Sequence, residues 1–209
     1  RMAQHGGGSI TAIPRAAGYP FYNDKLKPYG YNPDKARQLL SEAGWNRETP
    51  FRIVLPTGNK ERSQWATVAH QNLTEIGIKA ELQQMDIATM IKILSTTPDQ
   101  VDAFFVGFIN YMDPYMYFHR RFHTEGIPGG NLMYYSNPEM DRLINASATT
   151  VQKQERAKLF DRIQEILYDE LPVVPIACPT STIAVNKRVK GVHHSILHLT
   201  RNIHEWEIR

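Results

Sequence analysis

The sequence predicts an α/β fold in which a mixed β-sheet is flanked by helices. Three observations predict it. Between Phe51 and Phe108, short apolar or alternating runs trade places with segments whose apolar residues recur every three to four positions. The first pattern suits strands and the second suits amphipathic helices. Their alternation implies βαβ crossovers and a largely parallel sheet. Hydrophobic residues make up 42% of the 209 and charged residues 22%, the balance of one well-cored domain.

Residues 1–31 are rich in Gly, Pro and Tyr with little periodicity, and are expected to form an irregular lead-in. Asn32-Pro33-Asp34 starts a helix, because Asn caps, Pro suits the first helical position and Asp complements the helix dipole. Ala36, Leu39, Leu40 and Ala43 form its apolar stripe and Gly44 ends it. Residues 51–55 read as a strand closed by Pro56-Thr57-Gly58. Residues 63–76 read as a helix with Trp65, Val68, Ala69, Leu73 and Ile76 on one face, ended by Gly77. Residues 78–83 alternate as a strand, with Ile78, Ala80 and Leu82 on one side. Asp86 caps a short helix carrying Ile87, Met90, Ile91 and Leu94. Residues 102–108 read as a buried strand.

Further on, Asn137-Pro138-Glu139 repeats the cap logic of residues 32–34, with Met140, Leu143 and Ile144 as the stripe. A longer helix spans about 154–170 with Leu159, Ile163, Ile166 and Leu167 inward. Residues 173–176 and 182–185 read as short strands. Pro175 lacks a ladder donor and confines the first to an edge.

Composition excludes several functions. Lys plus Arg number 24 against 21 Asp plus Glu, and the longest basic cluster is Lys187-Arg188-Val189-Lys190. So weak a basic balance does not support nucleic acid as a partner. The single cysteine, Cys178, cannot form an internal disulfide, so the fold must rest on its core. The longest apolar run, residues 103–109, is strand-sized rather than membrane-spanning. No stretch has the make-up of a signal peptide, which says nothing about compartment. The opening Arg-Met-Ala-Gln-His-Gly-Gly-Gly-Ser reads as a loop cut open, as expected of an excised fragment.

No catalytic residues are assigned, and no cofactor or metal is expected. His5-Gly6-Gly7-Gly8 resembles an esterase oxyanion loop, but no Gly-x-Ser-x-Gly turn follows. A hydrolase built on Asp and His residues is the competing class, without a recognisable nucleophile–base spacing. His119 and His123 stand four apart, a spacing that puts two imidazoles on one helix face, so a metal-binding module is a third class. Arg120-Arg121 between them would repel a cation and no acidic ligand stands beside the pair, so they are read as surface histidines. His193-His194 with His198 form a second loose cluster.

The segment 104–122 holds eight of the 21 aromatic residues. Phe104 and Phe105 should alternate across a strand as core. Tyr111, Tyr115 and Tyr117 follow it, around Asn110 and Asp113-Pro114. Ligands of open α/β sheets bind beyond the carboxyl ends of strands, and Tyr joins apolar area to an orienting hydroxyl. Phe108, Asn110, Tyr111, Asp113 and Tyr115 are therefore the candidate ligand wall.

Several stretches together resemble the family 5 solute-binding proteins of ABC importers, the peptide and nickel import family. Residues 31–45, Tyr-Asn-Pro-Asp-Lys-Ala-Arg-Gln-Leu-Leu-Ser-Glu-Ala-Gly-Trp, are similar to a characteristic helix of that family. So are the strand at 102–108 with its Asp113-Pro114 loop, the helix start Tyr135-Ser136-Asn137-Pro138 running to Leu143-Ile144, and Glu155-Arg156, Gln164 to Leu167 and Glu170-Leu171-Pro172. They occur in the family's order over residues 20–195.

The resemblance implies the carboxy-terminal lobe of a bilobal, type II periplasmic-binding-protein-like fold that closes on its ligand about a hinge. Residues 32–209 would form the lobe, and residues 1–31 would lead in from an amino-terminal lobe outside this sequence. The family is not enzymatic. It captures a peptide-like or other small solute and hands it to permease subunits, in the periplasm or tethered to the outer face of the membrane. Family members that bind free peptides carry an Asp four residues before the Pro of the Asp-Pro loop. This chain has Asn110 there, which offers an acceptor but no counter-charge for an ammonium.

Overall fold

The structure is a computed structural model that describes residues 8–108, 111–179, 183–193 and 202–209. Capping decides most of the helices. Helix α1 (Pro33–Glu42) starts where the Asn32 side chain accepts from Lys35 N at 2.9 Å. Helix α2 (Lys60–Glu75) starts at Asn59 and α3 (Ile87–Thr96) at Asp86, each capped in the same way. Both α1 and α2 end on a glycine with positive φ, Gly44 at 64° and Gly77 at 90°. There the next residue turns back: Trp45 N donates to Leu40 O and Ile78 N to Leu73 O.

Strands β2 (Pro50–Pro56), β3 (Lys79–Met85) and β4 (Ala103–Phe104) form a parallel three-stranded sheet in the order β3-β2-β4. Two short antiparallel pairs accompany it, β1 (Gly8–Ser9) with β5 (Cys178–Pro179) and β6 (Val189–Lys190) with β7 (Glu207–Ile208). The α/β class therefore holds, with parallel and antiparallel pairings in separate sheets among the described residues.

Two packed regions share the interior. Val54 of β2, Met90 and Leu94 of α3, with Phe104 against them, form the smaller one beneath the sheet. The larger one lies among α4 (Pro114–Phe122), α5 (Pro138–Thr149) and α6 (Lys153–Glu170). Tyr117, Phe118, Phe122, Met140, Ile144, Phe160 and Ile163 are all essentially inaccessible there. The lead-in packs into this second region. Ala12, Ile13 and Asn23 are buried, Phe21 lies 5.3 Å from Phe160 ring to ring, and Tyr29 stacks on Tyr168 at 4.6 Å. A single buried amide ties it down: Gln164 accepts from Asn23 N at 2.9 Å and donates to Phe21 O at 2.9 Å and to Phe160 O at 2.7 Å.

Several expectations are corrected. The stripe of α1 is not buried, and Leu39 is 51% exposed. On α2 the buried residue is Ala66, whereas Val68 is half-exposed. A three-stranded sheet offers too little area to cover both helices and the outer face of edge strand β3. The strand expected over 102–108 is two residues long. Phe105 N still donates to Val54 O, after which the chain leaves the sheet and Phe108 packs on Tyr117 and Phe122. Residues 173–176 and 183–185 form no strand, and Thr182 lies outside the described residues. The ladder partner in that region is instead Cys178–Pro179.

Two outcomes check this architecture. Gln164→Leu removes the amide but leaves the Asn23 N–H and Phe21 carbonyl buried and unmet. It should destabilise the chain by about 1–3 kcal/mol in urea unfolding. Asp102 joins β4 to β2 through Arg52, with Arg52 N at 2.7 Å and Nε at 2.8 Å from Oδ2 and Nη2 at 3.0 Å from Oδ1. These hydrogen bonds hold the Asp102 carboxyl below its usual range. A depressed folded value means that the stabilisation is complete above the ordinary carboxylate pKa of about 3.9 and is lost as pH falls through the lower folded value. Asp102→Asn should therefore lower the urea midpoint slightly at neutral pH, and the difference should vanish in acid.

Candidate functional site

The aromatic loop is set by the start of α4. Asp113 caps that helix, its Oδ1 accepting from Tyr115 N at 2.8 Å, and Pro114 occupies the first helical position and is buried. The same carboxylate receives Arg156 Nη2 at 2.9 and 3.2 Å, and Arg156 Nε donates to Ser147 O at 2.8 Å. Asp113 thus joins the start of α4 to the end of α5 and the first turns of α6. These contacts brace the loop, while the Asp113 side chain stays 51% exposed.

Tyr111 and Tyr115 are half-buried, with one side of each against the α4–α5–α6 core. Met112 and Met116 beside them are 44% and 53% exposed. All four offer apolar area to solvent, two of them with a phenol hydroxyl, and thioethers adapt readily to irregular partners. Phe108 contributes differently. Its ring meets Tyr117 and Phe122 edge-on at 6.4 Å, and the Arg121 guanidinium covers it at 4.7 Å. It serves as a foundation for this surface. Asn110 lies outside the described residues.

Below the loop sits a residue that no sequence pattern singles out. Arg15 is 2% exposed and lies among the rings of Tyr19, Tyr117 and Phe118, at 5.1, 5.2 and 5.8 Å. Its Nη2 reaches Tyr111 O at 3.5 Å, while Nε and Nη1 have no partner among the described residues. Burial pushes this guanidinium below its usual range, opposed by the nearby Tyr117, Tyr19 and Asp113. Tyr117 also donates from its hydroxyl to Pro14 O, and burial pushes that hydroxyl well above the usual phenol range. Arg15 and Tyr117 together hold the lead-in under the backbone of Tyr111. Only a lone cation in an apolar segment marks Arg15 in the sequence, and two of its three aromatic neighbours, Tyr117 and Phe118, lie about a hundred residues away.

The histidine reading is corrected. His123 is not a surface residue but is 3% exposed, and Glu125 brings a carboxylate oxygen to 3.6 Å from His119 Nε2. His193 is exposed, and His194 and His198 lie outside the described residues. A shallow groove of about 270 Å³ lined by Leu40, Trp45, Arg47 and Ile76 is formed by α1, the end of α2 and their connections, and includes no residue of the aromatic loop.

The βα crossovers of a parallel sheet thus lead into a helical layer that bears the aromatic loop. Residues 3–129, more than half of the chain, match the sequence profile described as bacterial extracellular solute-binding proteins, family 5, middle. The chain belongs to that family. It is 30% identical over 175 residues to heme-binding protein A of Haemophilus influenzae, covering 81% of this chain and 32% of that protein. It is 24% identical over 218 residues to the oligopeptide-binding protein AppA of Bacillus subtilis, covering 96% of this chain and 39% of that one. The chain therefore spans between about a third and two fifths of these relatives.

Among solved structures, AppA of Bacillus subtilis in complex with a nonapeptide superposes over 99% of this chain and 44% of its own, with a TM-score of 0.83 at 22% identity. DppA, a periplasmic binding protein from Helicobacter pylori, superposes over 98% of this chain and 40% of its own, with a TM-score of 0.84 at 22% identity. The fold is thus that of periplasmic binding proteins, as the resemblance implied.

Arg15 supplies a stability test. A buried cation with two unmet N–H groups costs free energy that packing must offset. Arg15→Met keeps length and removes the charge. It should be no less stable than the unaltered chain in urea unfolding.

Proposed function

We propose that this chain is a carboxy-terminal lobe of the substrate-binding component of an ABC importer. It captures a peptide-like or other small polar solute between itself and a second lobe, and delivers it to the permease subunits. Membership of the extracellular solute-binding family, on the match over residues 3–129, is the observation that carries this reading. The protein works without catalysis, outside the cytoplasmic membrane, either free in the periplasm or tethered there. Residues 32–209 act as the lobe proper and residues 1–31 as the lead-in from the other lobe, clamped to α6 by Gln164.

The ligand wall is the surface of Tyr111 and Tyr115 with Asn110, supported by Asp113, Phe108 and Arg15. The half-exposure of both tyrosines, with Met112 and Met116 alongside, favours this face. Asp113 is engaged by Arg156 and by its own helix, so it does not offer a counter-charge to a cationic ligand. Asn110 brings none either. Burying a free α-ammonium without a counter-charge costs several kcal/mol, so the favoured ligand presents a neutral hydroxyl, carbonyl or amide at this point.

Two measurements on the intact two-lobed protein test the reading. Tyr111→Ala and Tyr115→Ala should each weaken binding about tenfold, while changing unfolding free energy by less than about 1.5 kcal/mol. A tyrosine whose loss unfolds the protein but spares residual binding belongs to the core instead. Calorimetry with a panel of free and amino-acetylated peptides should show no micromolar binding that depends on the free amine. Asn110→Asp should shift preference toward free amines by about 2 kcal/mol or more.

A further inference from the structure

We propose that His119, His123 and Glu125 form a binding site for a divalent transition metal at the carboxyl end of α4, beside the aromatic ligand wall and distinct from it. His119 in the last turn of α4 and His123 at its carboxyl cap stack ring on ring at 4.6 Å with 18° between planes. The chain then makes a tight turn over Thr124–Gly126 that carries Glu125 back toward the helix. One ligand atom from each of the three side chains lies within 4.8 Å of the others.

The buried member makes this more than a surface cluster. The His123 side chain is 4% exposed, and its Nε2 is enclosed without a hydrogen-bond partner among the described residues. A buried, unpartnered ring nitrogen is costly, and a metal ion would satisfy it. Behind the ring stands Asp141 of α5, with Oδ1 3.8 Å from His123 Nδ1 and fixed by the Thr124 N–H at 2.9 Å. That is the place of the carboxylate that typically receives the second N–H of a metal-bound histidine. Nδ1 accepts from Glu125 N at 3.1 Å. Ligation through Nε2 requires Nδ1 to carry the proton and donate to Asp141, which frees the Glu125 turn to move toward the metal.

Of the intervening arginines, Arg121 is engaged over the Phe108 ring. The carboxylates of Glu125 and Asp141 stand beside the imidazoles. Two imidazoles and one carboxylate suit Zn²⁺, Ni²⁺, Co²⁺ or Cu²⁺ over Mg²⁺ or Ca²⁺. Metal–nitrogen bonds of about 2.0–2.1 Å need the ligand atoms closer than they stand here. Glu125, 75% exposed, and His119, 29% exposed, have the freedom to close that distance. The solvent side leaves a coordination position for water.

The test uses the purified chain, freed of metal with a chelator. Calorimetric titration with Zn²⁺ should give one site per chain. His119→Gln and Glu125→Gln, both on accessible positions, should each weaken it tenfold or more, and Asp141→Asn by about 10–100-fold. In the unaltered chain, paramagnetic Ni²⁺ should broaden the ring resonances of His119 and His123 while sparing those of His70 and His204, which locates the site even if a variant folds poorly. Absence of Zn²⁺ binding, wild-type affinity in both Gln variants, or broadening centred on other histidines would overturn the proposal.

Discussion

Much of this structure depends on the aromatic packing of α4 against α6. Phe118 and Phe160 lie 5.7 Å apart ring to ring, with Phe122 and Tyr117 completing the cluster, and all four are shut off from water. Burying so much ring area supplies a large apolar contribution in one place. It also fixes the axis of α4. Once the axis is set, Tyr115 and His119 are placed by helical periodicity, with Asp113 and His123 at the two caps. The lead-in has no regular element of its own between Ile10 and Asn32, and it lays Arg15 and Phe21 against the same cluster.

Polar groups then join the elements at their ends. Arg156 connects the starts of α4 and α6 with the end of α5. Glu170, at the end of α6, accepts from the Tyr135 hydroxyl at 2.5 Å and from Asn137 Nδ2 at 2.8 Å, just where α5 begins. Burial and then these contacts with Glu170 push the Tyr135 hydroxyl well above the usual phenol range. Tyr135, Asn137, Arg156 and Glu170 are among the residues by which the sequence resembles its family. In space they meet at helix junctions, so they specify the lobe rather than its ligand.

The parts of the fold legible in the sequence are those governed by short-range rules. Asn32, Asn59, Asp86, Asp113 and Asn137 each cap a helix through their own side chain, although only some of these starts stood out before the structure. Gly44 and Gly77 end helices because the left-handed turn costs them little. Parallel pairing of β2 with β3 follows from an intervening helix. Less was legible where the outcome depends on what lies opposite. The stripe on α1 has the right period but no partner broad enough to cover it. The apolar run at 102–108 has strand composition, yet Phe108 finds more to pack against on α4 than on the sheet.

The sequence by itself determined the α/β class, most helix boundaries, the family and the position of the aromatic loop. All of these rest on patterns within a few residues or on ordered motifs along the chain. Only the tertiary structure decided what the individual side chains of that loop do. It occupied Asp113 with Arg156, placed Phe108 under Arg121, enclosed Arg15 beneath Tyr111 and brought Glu125 and Asp141 to the histidines. Each of those outcomes is a contact between groups on different elements, or across a turn whose shape no local pattern announces. Their energies depend on burial and on partners that the folded chain alone supplies.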